Sequence, residues 1–84
     1  MKKPAITIYV NDPMGRECQA NFAVASQAQA AFGAELVIVK DSSADYRPGV
    51  DPPIASVALN GTLLVQAETV TFEELQAAIL RARP

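Results

Sequence analysis

Residues 6–18 read ITIYVNDPMGREC, and the rest of the predicted domain is organised around this segment. The run at 6–10 is apolar apart from Thr7 and rich in β-branched residues, which is typical of a strand buried on both faces of a sheet. An Asn-Asp-Pro sequence at 11–13 then breaks the run, and the only cysteine, Cys18, follows shortly after it. The stretch therefore predicts a central strand that stops, turns and enters a helix beside a single thiol.

The helix that follows has two possible starts. Asp12 can serve as N-cap with Pro13 at the first helical position. Gly15 weakens that start by about 1 kcal/mol relative to alanine, so the helix can instead begin after Gly15. From residue 17 to 32 the apolar residues recur at three- and four-residue steps, which indicates an amphipathic helix. Gly33 is a suitable left-handed C-cap.

The rest of the chain alternates between strands and loops before a last helix. A second apolar run at 36–39 follows the first helix closely, and a strand–helix–strand unit of this kind is nearly always parallel. Residues 41–53 contain several prolines and predict a loop. The runs at 54–59 and 62–65 flank an Asn-Gly pair, the strongest short signal for an antiparallel hairpin.

The last helix begins with a capping box. Thr71 is the expected N-cap with Glu74 at N3, and Val70 and Leu75 are spaced for a hydrophobic staple. The whole chain, residues 1–84, is therefore expected to form one α/β domain with a βαβ unit followed by ββα.

Composition narrows the range of functions. The 84 residues carry a net charge of −2 without any basic cluster, so nucleic acid and anionic membranes are not expected partners. The chain has no histidine and one cysteine, so we expect no His-based catalysis, no bound metal and no cofactor. No run approaches the roughly 18 apolar residues of a membrane helix, and no signal segment is apparent, so a cytoplasmic location is expected.

The order of elements resembles the thioredoxin-like fold in its minimal form, as in glutaredoxins and small thioredoxin-like proteins. The resemblance rests on the strand–loop–Cys18–helix segment, on Pro53 just before the third strand and on the hairpin at 57–64. It implies a four-stranded mixed sheet with helices packed on it. It also implies a cis-proline at Pro53, with a substrate groove formed beside Cys18 by Pro13, Met14, Pro52 and Pro53.

The chain departs from this family at the active-site motif. Cys18 begins CQAN at 18–21 and ends GREC at 15–18, so the family's second cysteine is absent in either alignment. The expected function is therefore a thioredoxin-like module with a degenerate site that interacts with a protein or regulates one. The alternative is a monothiol redox protein in which Cys18 forms a mixed disulfide with glutathione or a protein thiol; whether the chain is an enzyme and its oligomeric state stay open.

Two sequence features leave alternatives open. Cys18 is either a reactive thiol, favoured if it lies in the first turn of the helix, or a small buried apolar residue. The second hairpin strand, with Leu63, Leu64 and Val65, is either a sheet edge that pairs with a partner or a second copy, or a strand covered by the last helix.

Overall fold

A computed structural model describes residues 3–82 of the chain. The fold is α/β, with four strands and two helices in the order predicted from the sequence. The elements are β1 (Ala5–Val10), α1 (Arg16–Phe32), β2 (Glu35–Lys40), β3 (Ser56–Leu59), β4 (Thr62–Val65) and α2 (Phe72–Ala82).

The strands form one mixed sheet in the order β2-β1-β3-β4. β1 is parallel to β2, with Ile8 opposite Ile38, and antiparallel to β3, with Ile8 opposite Val57. β3 and β4 form the predicted antiparallel hairpin. Asn60 and Gly61 both have positive φ, 51° and 85°, as a type I′ turn requires.

The core lies between the sheet and the two helices, which pack on the same face. Alternate residues of β1 (Ile6, Ile8 and Val10) are fully buried there. They form one cluster with Ala25 of α1, Leu75 of α2 and other apolar residues. We call this the helix face of the sheet.

We call the opposite side of the sheet the open face. The burial of β1 on this side is less than predicted. β1 was expected to be buried on both faces, but Ala5, Thr7 and Tyr9 are only half-buried. The reason is that residues 41–55 form a loop, which includes the predicted loop at 41–53, so no helix among residues 3–82 covers the open face. Tyr46 anchors this loop, since its hydroxyl donates to the Pro52 carbonyl and its ring lies 6.5 Å from that of Tyr9.

Both ends of α1 can be compared with the predictions. The helix begins at Arg16 with Gly15 as N-cap, so the start at Asp12 and Pro13 is wrong. Gly33 ends α1 in the left-handed conformation, with φ 68°, and its N–H donates to the Gln29 carbonyl, as predicted.

The capping box of α2 is confirmed. The Glu74 N–H donates to Thr71 Oγ1 over 3.1 Å, and the Thr71 N–H donates to Glu74 Oε1 over 3.2 Å. Val70 and Leu75, the expected staple, are both buried in the core cluster.

The third strand is shorter than expected, because Ala55 has φ 70° and breaks the extended conformation before Ser56. Neither helix in the described part of the chain has the length and hydropathy to cross a membrane.

Candidate functional site

Cys18 lies in the first turn of α1 and is buried, with 1% of its surface exposed. The Asn11 N–H donates to Sγ over 3.4 Å, and the thiol donates to Asn11 Oδ1 over 3.3 Å. Asn11 therefore engages the sulfur both as donor and as acceptor. This answers the question left open by the sequence: the thiol has the helical position of a reactive cysteine and the burial of a core residue.

The turn after β1 is also tied to the turn after β2. The Asp12 N–H donates to Asp41 Oδ1 over 3.2 Å, and Ser42 Oγ donates to Asp12 Oδ2 over 2.8 Å. Asn11 Nδ2 reaches Asp41 Oδ2 over 3.4 Å. Because β1 and β2 are parallel, their carboxyl ends meet at one edge of the sheet, where ligands of α/β proteins commonly bind. Here these polar groups hold the two turns to each other.

Asn21 lies three residues after Cys18, where one of the two alignments with the family places the second cysteine; the other alignment places the missing cysteine at Gly15, the N-cap of α1. Its side chain is buried, with Nδ2 donating to the Glu68 carbonyl over 3.2 Å and Oδ1 accepting from the Val70 N–H over 2.8 Å. The side chain thus fastens α1 to the segment that precedes α2. Sequence reasoning missed this residue, because its partners lie almost 50 positions away and nothing local marks the contact.

The predicted proline groove is not formed as expected. The cis peptide bond among residues 3–82 lies at Asp12–Pro13, so the expectation of a cis bond at Pro53 is wrong. Pro13 is exposed, while Met14 is half-buried against the core cluster. Pro52 and Pro53 line a groove, but one that contains neither Cys18 nor the other two predicted residues.

That groove is an open depression of ≈ 390 Å³ on the open face of the sheet. Its apolar lining comes from β1, the loop, β3 and β4, and includes Tyr9, Val50, Pro52, Pro53, Ala58 and Leu63. Val50 and Leu63 are strongly exposed, at 72% and 41%. Burial, and secondarily the negative charge of Asp51, raises the pKa of the Tyr9 hydroxyl above its ordinary value of 10.0.

Leu63 lies on β4, the strand that the sequence predicted to be either an open sheet edge or covered by the last helix. β4 is a sheet edge. Along it Leu63 is exposed, Leu64 half-buried and Val65 buried, so the strand is covered only in part.

No group of three or more His, Cys, Asp or Glu side chains within residues 3–82 could hold a metal ion. Comparisons of the chain with protein-family models, with curated proteins and with solved structures found no match.

Proposed function

We propose that this chain is a thioredoxin-like module that acts by binding another protein and does not carry out thiol–disulfide exchange. The β1–α1–β2 unit, the β3–β4 hairpin and the final α2 on one mixed sheet support the thioredoxin-like part of the proposal. The exposed apolar side chains on the open face of the sheet support the proposal that the chain binds another protein.

The observation that carries the proposal is the environment of the Cys18 sulfur. Thiol–disulfide exchange begins with attack by an accessible thiolate on a disulfide. Cys18 is 1% exposed, and its thiol proton is directed to Asn11 Oδ1. A second thiol is absent from the sequence in either alignment, since Gly15 precedes Cys18 by three residues and Asn21, a buried amide, follows it by three. The side chains of Cys18 and Asn21 thus bond to the turn after β1 and to the segment before α2.

The monothiol alternative has one observation in its favour. Because α1 begins at Arg16, Cys18 lies in the first helical turn, where backbone N–H groups stabilise a thiolate. For exchange to occur, Asn11 would have to move away and expose the sulfur.

The proposal is tested by affinity capture from cell extract with three immobilised forms of the chain: wild type, Cys18→Ala and Leu63→Lys. A binding module captures the same proteins with wild type and Cys18→Ala, and captures less with Leu63→Lys, which places a charge on the open face. Ala23→Lys, at an exposed position of α1, is the matched control and should capture like wild type.

Capture that is lost in Cys18→Ala, and that a reductant releases from the wild-type chain, would overturn the proposal in favour of mixed-disulfide chemistry. Equal capture by all four forms would contradict binding through the open face.

A further inference from the structure

The turn between β3 and β4 contains the chain's one Asn-Gly pair, Asn60 and Gly61, and both residues are exposed. The backbone nitrogen that follows an asparagine can attack the side-chain amide carbon, Cγ. Glycine favours this attack, because it has no side chain to block the approach and restricts the backbone least. The other two asparagines, Asn11 and Asn21, are followed by larger residues. The turn is therefore the position in this sequence where a side-chain amide is most easily lost.

Two hydrogen bonds hold Asn60 to Ala5, the first residue of β1. The Asn60 N–H donates to the Ala5 carbonyl over 2.8 Å, and Asn60 Oδ1 accepts from the Ala5 N–H over 2.9 Å. The side-chain oxygen thus adds one more acceptor to the β1–β3 ladder, beyond the pair Ile6 and Leu59. The bond to Oδ1 fixes the rotation of the Asn60 side chain, so we expect it to open before Gly61 N reaches Cγ.

This contact can open while the rest of the chain stays folded. It joins the first residue of a strand to a turn, and it is exposed. Hydrogen bonds at such positions open with much smaller free energies than those of the core. The fully buried side chains of β1 begin only at Ile6, the next residue. Local opening is therefore sufficient to free the Asn60 side chain.

We propose that Asn60 is a deamidation site of the folded chain and that its contact with Ala5 sets the rate. Hydroxide removes the Gly61 N–H proton, and the nitrogen attacks Asn60 Cγ. A new C–N bond closes a cyclic imide, the bond from Cγ to Nδ2 breaks, and Nδ2 leaves as ammonia after taking a proton from water. Water then adds across either C–N bond of the imide, which gives aspartate or isoaspartate.

The two products differ in their effect on the hairpin. Aspartate keeps the length of the backbone, and its carboxylate can still accept from the Ala5 N–H. Isoaspartate places the Cβ of residue 60 in the main chain, which lengthens the two-residue turn. Leu59 and Thr62, which are paired across that turn, then lose the register that the turn sets. The isoaspartyl chain should therefore be the less stable product.

The test is peptide mapping by mass spectrometry after incubation of the folded chain at mildly alkaline pH. Asn60 should show the mass change of an amide converted to an acid, while Asn11 and Asn21 keep their amides. The reaction should be at least about tenfold slower than in guanidinium chloride, because two hydrogen bonds hold Asn60 in the folded chain. The purified isoaspartyl product should unfold at a lower denaturant concentration than Asn60→Asp, which has the sequence of the other product.

Two variants separate local opening from a general loss of stability. Ala5→Pro removes the N–H that bonds Asn60 Oδ1, at a strand position that tolerates proline, and should speed deamidation about fivefold. Asn21→Ala, the matched control, removes a buried hydrogen bond of α1 and should leave the rate unchanged. A further measurement needs no variant. The wild-type rate should stay constant as denaturant is added below the unfolding transition, because local opening exposes little surface.

Complete retention of the Asn60 amide in the folded chain, over a time that converts the unfolded chain, would overturn the proposal. So would deamidation that is equally fast in the folded and unfolded chains, or a rate that climbs with denaturant below the transition. Ala5→Pro speeding the reaction no more than Asn21→Ala does would also overturn it. The inference goes beyond the proposed function and involves neither Cys18 nor a binding partner, so deamidation and the capture experiment can fail separately.

Discussion

Asn11 and Cys18 exchange two hydrogen bonds across the turn that follows β1, one from the Asn11 N–H to Sγ and one from the thiol to Oδ1. The bonds join the end of the central strand to the first turn of α1. A thiol held in this way stabilises the turn and is withdrawn from solvent. The relationship gives a lone cysteine at this position a structural role.

The first prediction concerns the coupling between these two side chains. A double-mutant cycle with Asn11→Ala and Cys18→Ala should give a coupling free energy of about 0.5–1 kcal/mol. Both substitutions remove the bond from the thiol to Asn11 Oδ1, and hydrogen bonds of sulfur are weak, whereas the backbone Asn11 N–H is kept in Asn11→Ala. Urea unfolding of the four chains measures this coupling. Gln19→Ala, which removes an exposed amide bonded to the Met14 carbonyl, should be additive with Cys18→Ala. Additivity of the Asn11 pair would contradict the assignment.

The second prediction concerns Asn21. Asn21→Ala should lower the free energy of unfolding by about 1–3 kcal/mol, because the Val70 N–H loses a buried acceptor. Gln29→Ala, an exposed amide on the same helix, should change it by less than about 0.5 kcal/mol. Denaturant unfolding of both variants is the measurement. Equal effects would show that the buried amide contributes no more than a surface one.

Local signals in the sequence predicted much of the fold. The Asn60-Gly61 turn, the Thr71–Glu74 capping box and the Gly33 C-cap each depend on residues that are close in sequence, so the pattern alone specifies the structure.

The contacts of the site were less predictable, because they join residues that no local sequence motif brings together. Asn11 bonds Cys18 across a turn whose conformation no local motif specifies, and Asn21 bonds Val70, 49 residues further along the chain. The partial exposure of Tyr9 on β1 depends on whether residues 41–55 form a helix or a loop. Family analogy misplaced the cis bond, because a proline's presence before a strand does not determine its isomer.

The third prediction concerns backbone conformation at Ala67, an exposed residue with φ 58°. Alanine is disfavoured in the left-handed region by about 1–2 kcal/mol, so Ala67→Gly should leave stability unchanged or raise it by about 0.5 kcal/mol. The matched control, Ala23→Gly in the exposed face of α1, should lower it by about 1 kcal/mol. Thermal and urea unfolding compare the two. A loss at Ala67 as large as that at Ala23 would contradict the assigned conformation.

The fourth prediction concerns alkaline pH. The pKa of Tyr9 is raised in the folded chain, so the folded state holds this proton more tightly than the unfolded state. The stabilisation is fully present below about pH 10 and is lost as the pH rises through the folded-state pKa. Tyr9→Phe should therefore lose less stability than wild type between about pH 8 and about pH 11. Asp51→Asn should lower the pKa of Tyr9, as tyrosinate absorbance measures in a Tyr46→Phe background.

Tyr46→Phe alone is the control for this pH dependence and should lose stability over the same range as wild type does. An alkaline loss that is the same in Tyr9→Phe and in wild type would show that another group is responsible.

If Cys18 is a structural thiol, its alkylation in the folded chain should be slow. Iodoacetamide should modify Cys18 in the folded chain at least about tenfold more slowly than in urea, because reaction requires local opening of the turn. A Cys18→Ala, Ala23→Cys chain, whose thiol lies at an exposed position of α1, should react at similar rates in both conditions. We therefore expect Cys18 to be protected in the folded state. Alkylation of folded Cys18 as fast as that of the exposed control, or faster, would contradict it.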